Sequence, residues 1–397
     1  MLDSGFRSAA PELFVEMRLG WLEAAGLWNP QPRRQTTDPE PGLRPSSLWL
    51  SAAFASSLEE LIGPPLGTPA NNSKPAKDNT IMTFLHHPPA RCLGIDVAKD
   101  NLVAGDGCHA PTSVANTRKS IRSLLAKACP DFVICEPTGG YELVLLEECL
   151  RAGIACHRAN TRNLKSFIHS YGQLGKSDAI DAAAMAAYGR ERWARLALWQ
   201  APAEDDKHLQ ALVRRRADLI AFRTAEKNRS KAPMTRGAKA IAASFKAVLA
   251  MLERQIEAID DAIAALVAKS HALKRRIAVC TTVSGVGLIS AITLLAQMPE
   301  LGSLQRRQAA ALAGTAPHPN ESGASRGYRR QRGGRPQVKI ALFMPAMHAA
   351  QSRGQFATFY KRLRDNGKRP IVAIAAVMRK IVVTLNARLR DAQSQQS

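Results

Sequence analysis

Four carboxylates constrain this chain more than any other feature. Asp96 closes the run Leu-Gly-Ile-Asp-Val, Glu136 follows Phe-Val-Ile-Cys and opens Glu-Pro-Thr-Gly-Gly, and Asp178 and Asp181 stand three apart in Gly-Lys-Ser-Asp-Ala-Ile-Asp-Ala. The first two runs are short, apolar and β-branched, the pattern of buried strands, and the third is Ala-rich and reads as helix. A charge at the end of an apolar strand is costly unless something compensates it. Two carboxylates at i and i+3 share one helical face. Hard divalent cations prefer oxygen ligands, and two of them about 4 Å apart can stabilise both the attacking and the leaving oxygen of a phosphodiester. Asp96, Glu136, Asp178 and Asp181 therefore read as a two-metal site for Mg²⁺ or Mn²⁺. Asp100, Glu142, Glu147 and Glu148 lack the strand-end context and read as ordinary surface charge.

From Arg91 onward strands and helices alternate. Strands are expected over 93–98, 102–105, 132–135 and 154–158, and helices over 117–128, 141–151 and 177–190, the last with Ser177 at its N-cap. That is a small α/β domain. The period then changes: Phe245, Leu249, Leu252, Ile256, Ile259, Ile263 and Leu266 recur at alternating spacings of four and three, a coiled-coil seam. Leu209, Leu212, Leu219 and Phe222 suggest a partner helix, interrupted by Arg214, Arg215 and Arg216. An intramolecular hairpin and a contact between two chains both satisfy this pattern. A compact helical segment begins near Ile277, where Ser284-Gly-Val-Gly287 resembles a turn that lets a helix N-terminus approach a phosphate. The expected organisation is an irregular extension over 1–88, a metal-dependent α/β domain over 89–200, a helical coiled-coil segment over 201–276, and a mainly helical C-terminal domain over 277–392.

The formal charge is +22, and residues 301–397 carry 18 Lys or Arg against three acids. Such an excess calls for a polyanionic partner or an anionic surface, and the C-terminal part is the expected electrostatic grip. Aromatic residues make up only 5% of the chain, which argues against recognition mainly by base stacking. Seven cysteines form no Cys-x-x-Cys pair and read as reduced, mostly buried side chains of a cytoplasmic protein. The longest apolar stretch, Ile371 to Leu385, contains Arg379 and Lys380, so no membrane span is expected. Residues 1–81 are rich in Pro and Ser without sustained periodicity, and are expected to precede a native start at Met82.

Taken in order, Gly-Ile-Asp, Glu-Pro-Thr-Gly-Gly and Lys-Ser-Asp-Ala-Ile-Asp-Ala resemble the Asp-Glu-Asp-Asp set of the IS110 family of transposases and recombinases. In the second half, Ser-Gly-Val-Gly, Ala-Leu-Ala-Gly-Thr-Ala-Pro, Glu321-Ser-Gly323 and Arg332-Gly-Gly-Arg335 resemble that family's C-terminal domain. The resemblance covers roughly residues 90 to 390, and the ordered combination is more specific than any piece. It implies a ribonuclease-H or RuvC-like fold for the first domain and Ser322 as a nucleophile that joins covalently to DNA. It also implies a noncoding guide RNA, and a homodimer or homotetramer in which metal site and serine meet across protomers on DNA, in the nucleoid. Ser325 offers a second hydroxyl three residues on. Lys176, Arg326, Arg329, Arg330, Arg332, Arg335 and Lys339 are the candidate phosphate contacts, suited to bidentate or point-charge binding, and Tyr328 could stack on a base. Two other functions remain open: a structure-specific RuvC-like endonuclease in which metal-bound water attacks, and a non-catalytic basic nucleic-acid-binding protein.

Overall fold

The computed structural model describes residues 83–395 apart from 173, 174, 176, 236, 238 and 328. The expected N-terminal extension thus falls almost wholly outside the described residues, as do Lys176 and Tyr328. The chain divides into two compact units, Asn79–Pro202 and a second whose described part begins at Ala203.

The first unit is built on a five-stranded mixed sheet of β1 (Cys92–Val97), β2 (Asn101–Gly105), β3 (Thr112–Ala115), β4 (Phe132–Cys135) and β5 (Ala155–Arg158), in the order β3-β2-β1-β4-β5. β1 to β3 form an antiparallel meander, whereas β4 and β5 join parallel to β1 through helical crossovers. α1 (Arg118–Ala128) and α2 (Leu143–Arg151) cover one face, packing Ile121, Leu124, Leu125, Leu145 and Leu146 against Leu93, Ile95, Val133 and Cys135. α3 (Thr161–Ser170) and α4 (Asp178–Arg192) cover the other, where Leu164, Phe167, Met185 and Tyr188 meet Cys92, Phe132 and Ile134. Period-two alternation along each strand assigns odd and even positions to opposite layers. Each of these helices except α2 starts on a side-chain cap, from Thr117, Asn160 and Ser177. β3 and α3 were not expected from sequence.

The second unit opens with α5 (Glu204–Ser230) and α6 (Lys239–Lys269), which pack against each other as an antiparallel hairpin within the chain. Leu252, Ile256 and Ile263 of the heptad seam are buried, while Phe245, Leu249, Ile259 and Leu266 are half-buried. Arg216, read from sequence as an interruption, faces the seam and forms an ion pair with buried Asp260 at 2.5 Å. A buried carboxylate with a directed guanidinium partner fits such a face, and removing either partner would leave an uncompensated charge. Phe222 does not join the seam and is 56% exposed.

Beyond the hairpin come α7 (His271–Thr281), α8 (Leu288–Gln297), α9 (Arg306–Leu312), two short ribbons, α10 (Pro336–Gln351), α11 (Gln355–Asp365) and α12 (Pro370–Ser394). α12 is long and apolar enough to cross a membrane by length and composition. Here it is a core helix, burying Ile374, Val377, Ile381, Val382, Leu385 and Leu389 among α7, α9, α10 and α11. In the Ser-Gly-Val-Gly turn, Gly285 has φ +86° and lies so close to α10 that a Cβ would strike the Pro345 carbonyl oxygen. Close packing therefore accounts for that glycine.

Candidate active site

Register brings the first two acids together. In the β1–β4 pair Ile95 stands opposite Cys135, so Asp96 and Glu136 follow at the carboxyl ends of adjacent parallel strands, on the same face. Neighbouring strands run about 4.8 Å apart, so the two side chains rise side by side toward the layer containing α4. Asp178 and Asp181 occupy the first turn of α4, where the helix N-terminus favours negative charge and Ser177 accepts the Ile180 N–H.

What lets α4 come close is glycine. Gly94 lies two residues before Asp96 on the same face, and a Cβ there would collide with the Ala182 carbonyl oxygen and lie 2.6 Å from the Ala186 nitrogen. Further along α4, Gly189 leaves room for the Cys92 and Ile134 side chains, which a Cβ there would strike. Gly94 thus admits the helix backbone against the strand, while Gly189 admits sheet side chains against the helix. The electrostatic consequence is visible at half-buried Asp96. Burial pushes its carboxyl above the ordinary value, and the charges of Asp178, Asp181 and, to a smaller extent, Glu136 push the same way. All four acids therefore share one electrostatic neighbourhood. Their all-oxygen donor set suits Mg²⁺ or Mn²⁺, although among the described residues no three Asp, Glu, His or Cys side chains form a ready-made cage.

Two of the acids taken for ordinary surface charge are not. Glu142 is fully buried and Glu148 is 1% exposed. Glu142 accepts the Thr138 and Gly140 N–H groups at 2.9 Å each, and Arg158 Nη2 approaches its other oxygen to 2.6 Å. Burial alone would raise its carboxyl, but the Thr138 N–H, its own N–H, Arg158 and the Gly140 N–H together hold it below the ordinary value. Glu148 is clasped by Arg118, Arg122 and Arg151 at 2.7–2.8 Å. The partners lie up to 30 residues away in sequence, which is why these acids look solvated when read locally.

The serine region lies in the second unit. β6 (Pro317–His318) pairs with β9 (Arg330–Gln331), and between them β7 (Glu321–Ser322) pairs with β8 (Ser325–Arg326). Ser322 and Ser325 face each other across the two-residue turn Gly323-Ala324, with Gly323 at φ +54°, the left-handed region such tight hairpins need. Both serines are exposed. The base of the ribbon is fixed by Gln331, whose amide donates to the carbonyls of Thr315 and Ala375. It is also fixed by the contact of two sequence motifs: Gly334 (φ +72°) packs directly on Gly314, and the Arg335 N–H donates to the Leu312 carbonyl.

The candidate phosphate contacts divide by their engagement. Arg330 and Arg332 are exposed. Arg329 is paired with Glu321 at 2.6 Å, and Arg335 is held by Glu300 at 2.6 and 2.9 Å and by the Gln297 carbonyl. Lys339 is half-buried beside Gly314, and burial pushes its ammonium below the ordinary value. Arg326 contributes its backbone to the ribbon.

Against known proteins, residues 93–237 match a family described as transposase, of the Asp-Glu-Asp-Asp type of IS110, and residues 278–361 match the transposase IS116/IS110/IS902 family. The pilin gene-inverting protein of Moraxella bovis is 28% identical over 275 residues, covering 65% of this chain and 80% of the relative. That of Moraxella lacunata is 28% identical over the same extent. An uncharacterized 43.6 kDa protein of insertion element IS110 from Streptomyces coelicolor is 32% identical over 150 residues, 37% of this chain and 36% of its own length.

Proposed function

We propose, from the premise that this chain belongs to the IS110 family of transposases and is a DNA transposase or site-specific recombinase, that it cuts and rejoins DNA through a carboxylate metal site and a serine nucleophile. What supports the reading is geometry: Asp96 and Glu136 follow one another at the ends of adjacent parallel strands, on the face covered by α4, whose first turn carries Asp178 and Asp181, an accumulation of negative charge that a bound cation would compensate. Asp96, Glu136, Asp178 and Asp181 would hold two divalent ions, Mg²⁺ or Mn²⁺. When bound, these supply Lewis-acid polarisation of the scissile phosphate and ease loss of the nucleophile's proton.

The remaining chemistry belongs to the second unit. Ser322 Oγ gives up its proton and forms an ester bond to phosphorus as one P–O bond of the DNA backbone breaks, and the departing sugar oxygen takes up a proton to become a hydroxyl; religation reverses this at a new partner. An exposed hydroxyl at the tip of a tight hairpin supports this assignment, because a DNA backbone can reach it. Ser325, opposite it, is the alternative hydroxyl. Exposed Arg330 and Arg332, with Arg326, Lys339 and Lys176, supply phosphate contacts, while Arg329 and Arg335 shape the loop through Glu321 and Glu300. Residues 89–200 then carry the metal site, 201–276 the helical hairpin and 277–392 the serine. A noncoding guide RNA chooses the DNA, homodimers or homotetramers assemble on it, and the protein works in the cytoplasm at the nucleoid.

The test is end chemistry. Incubated with Mg²⁺ and target DNA, the protein should leave strand ends blocked by covalently attached polypeptide, and Asp96→Asn and Asp178→Asn should stop cleavage while DNA binding persists. Free 5′-phosphate ends would instead indicate a metal-activated water and a structure-specific endonuclease. Undiminished cleavage in both variants would remove the metal site from the account.

A further inference from the structure

Side chains that hold no metal also converge on the two strand ends. Glu136 is followed by the loop Pro-Thr-Gly-Gly-Tyr, which turns back into α2. Glu142 gathers that loop from beneath, with one carboxylate oxygen accepting from both the Thr138 and Gly140 N–H groups, while Thr138 Oγ1 donates to the Glu136 carbonyl at 3.3 Å. Its other oxygen meets Arg158, the last residue of β5, which stands opposite Cys135 in the sheet. This contact is an ion pair without a well-directed hydrogen bond. The loop is thereby tied to the strand beyond Glu136.

Asn116, just after β3, makes the link to Asp96. Its Nδ2 donates to the Ala98 carbonyl at 3.0 Å and to the Tyr141 carbonyl at 3.2 Å, and its own N–H donates to the Asp100 carbonyl at 2.9 Å. Both Nδ2 partners are carbonyl oxygens, so the amide must present its NH₂ to them. Ala98 lies two residues beyond Asp96, and Tyr141 immediately precedes Glu142. A path of contacts results: Asp96, Ala98, Asn116, Tyr141, Glu142, then through Thr138 to Glu136, closed by the pairing of β1 with β4.

We propose that Glu142, Arg158 and Asn116 form a brace of hydrogen bonds and one ion pair that sets the separation of the Asp96 and Glu136 carboxylates, and so act as positioning residues of the metal site. The proposal rests on reading Asp96 and Glu136 as metal ligands. A fully buried glutamate and a bridging amide are expensive placements, the more so because Glu142 Oε1 and Asn116 Oδ1 find no hydrogen-bond partner among the described residues; the hydrogen bonds that both side chains do make go to the backbone beside the two acids. Residues that orient metal ligands typically cost about 10- to 100-fold in metal affinity when removed.

The experiment is a calorimetric Mn²⁺ titration of the full chain and three variants, with secondary structure followed by circular dichroism. Glu142→Gln and Asn116→Ala should each weaken Mn²⁺ binding about 10- to 100-fold with the helical signal retained. Asn116→Ala changes no charge, so its loss cannot come from removing a negative group, and it decides the matter alone if Glu142→Gln fails to fold. Glu148→Gln removes an equally buried acid that does not touch the loop; it should stay within about twofold of the parent, even though it lowers thermal stability. Unchanged affinity in Asn116→Ala, or an equal loss in Glu148→Gln, overturns the brace while the metal site stands. If the parent itself binds no Mn²⁺, the metal reading fails and the brace with it.

Discussion

The acid cluster and the serine ribbon are built on opposite principles. Asp96 and Glu136 end buried strands, with a helix seated on them through glycine contacts and a loop pinned by a buried glutamate. Ser322 sits on two residues of strand at a two-residue turn, exposed, in a ribbon whose base is anchored by Gln331 and by the packing of Gly334 on Gly314. Metal coordination tolerates errors of only a few tenths of an ångström, so its donors belong on rigid elements. A nucleophile that must meet a large polymer gains more from access. The difference teaches that stability and catalysis are coupled in the first region and largely separable in the second.

The strongest way to break that contrast is at Asp96. Asp96→Asn should lower DNA cleavage by about 10³-fold or more. The same variant should be more stable than the parent in EDTA at neutral pH. Burial and the neighbouring acids raise the Asp96 carboxyl in the folded state, so ionising it opposes folding, and the penalty disappears with the charge. Paired melting and cleavage assays check both halves; an inactive variant no more stable than the parent would show that repulsion is not stored there.

Gly94→Ala tests the packing that creates the site. It should cost about 1–3 kcal/mol in urea unfolding as α4 is forced off β1, and cleavage should fall with it because Asp178 and Asp181 move away. A smaller and purely structural effect belongs to Glu148. Its hydrogen bonds from Arg122 and then Arg118 hold the carboxyl at about 2, against an ordinary 4.5. A depressed carboxyl stabilises fully above its unfolded value and loses that contribution as pH falls toward the folded one. Melting temperature should therefore drop as pH falls from 4.5 toward 2, with a shallower slope in Glu148→Gln. Least of all, Gly323→Ala at the hairpin tip should cost about 1 kcal/mol or less, and its effect should appear in strand transfer rather than in melting.

Much of this was legible in the sequence where a local pattern carried the physics. The strands at β1 and β4 announce themselves by apolar, β-branched runs, α4 by its Ser177 cap, and α6 by the regular spacing of its apolar residues. β3 stayed hidden because Thr112–Ala115 is a short, mostly exposed edge strand, and α3 because only Leu164 and Phe167 of its ten residues are buried. Glu142, Glu148 and Arg216 were misread for a shared reason: beside any local partners, each has an ion pair with a residue 16 to 44 positions away, a distance over which spacing says nothing. Asn116 gives no local signal, since its role exists only once β3 has brought it between two loops. Gly94, by contrast, could have been found: a glycine on the same strand face as a catalytic acid marks a close approach.

The central claim is that a serine, positioned apart from the acids in sequence, makes the covalent bond to DNA. It is tested most directly by trapping the protein on a suicide DNA substrate with Mg²⁺ and mapping the modified peptide by mass spectrometry, in the parent and in Ser322→Ala. The account predicts a nucleotide adduct on Ser322 that is lost in the variant. An adduct that persists in Ser322→Ala, or strand breaks with no protein attached, would contradict it.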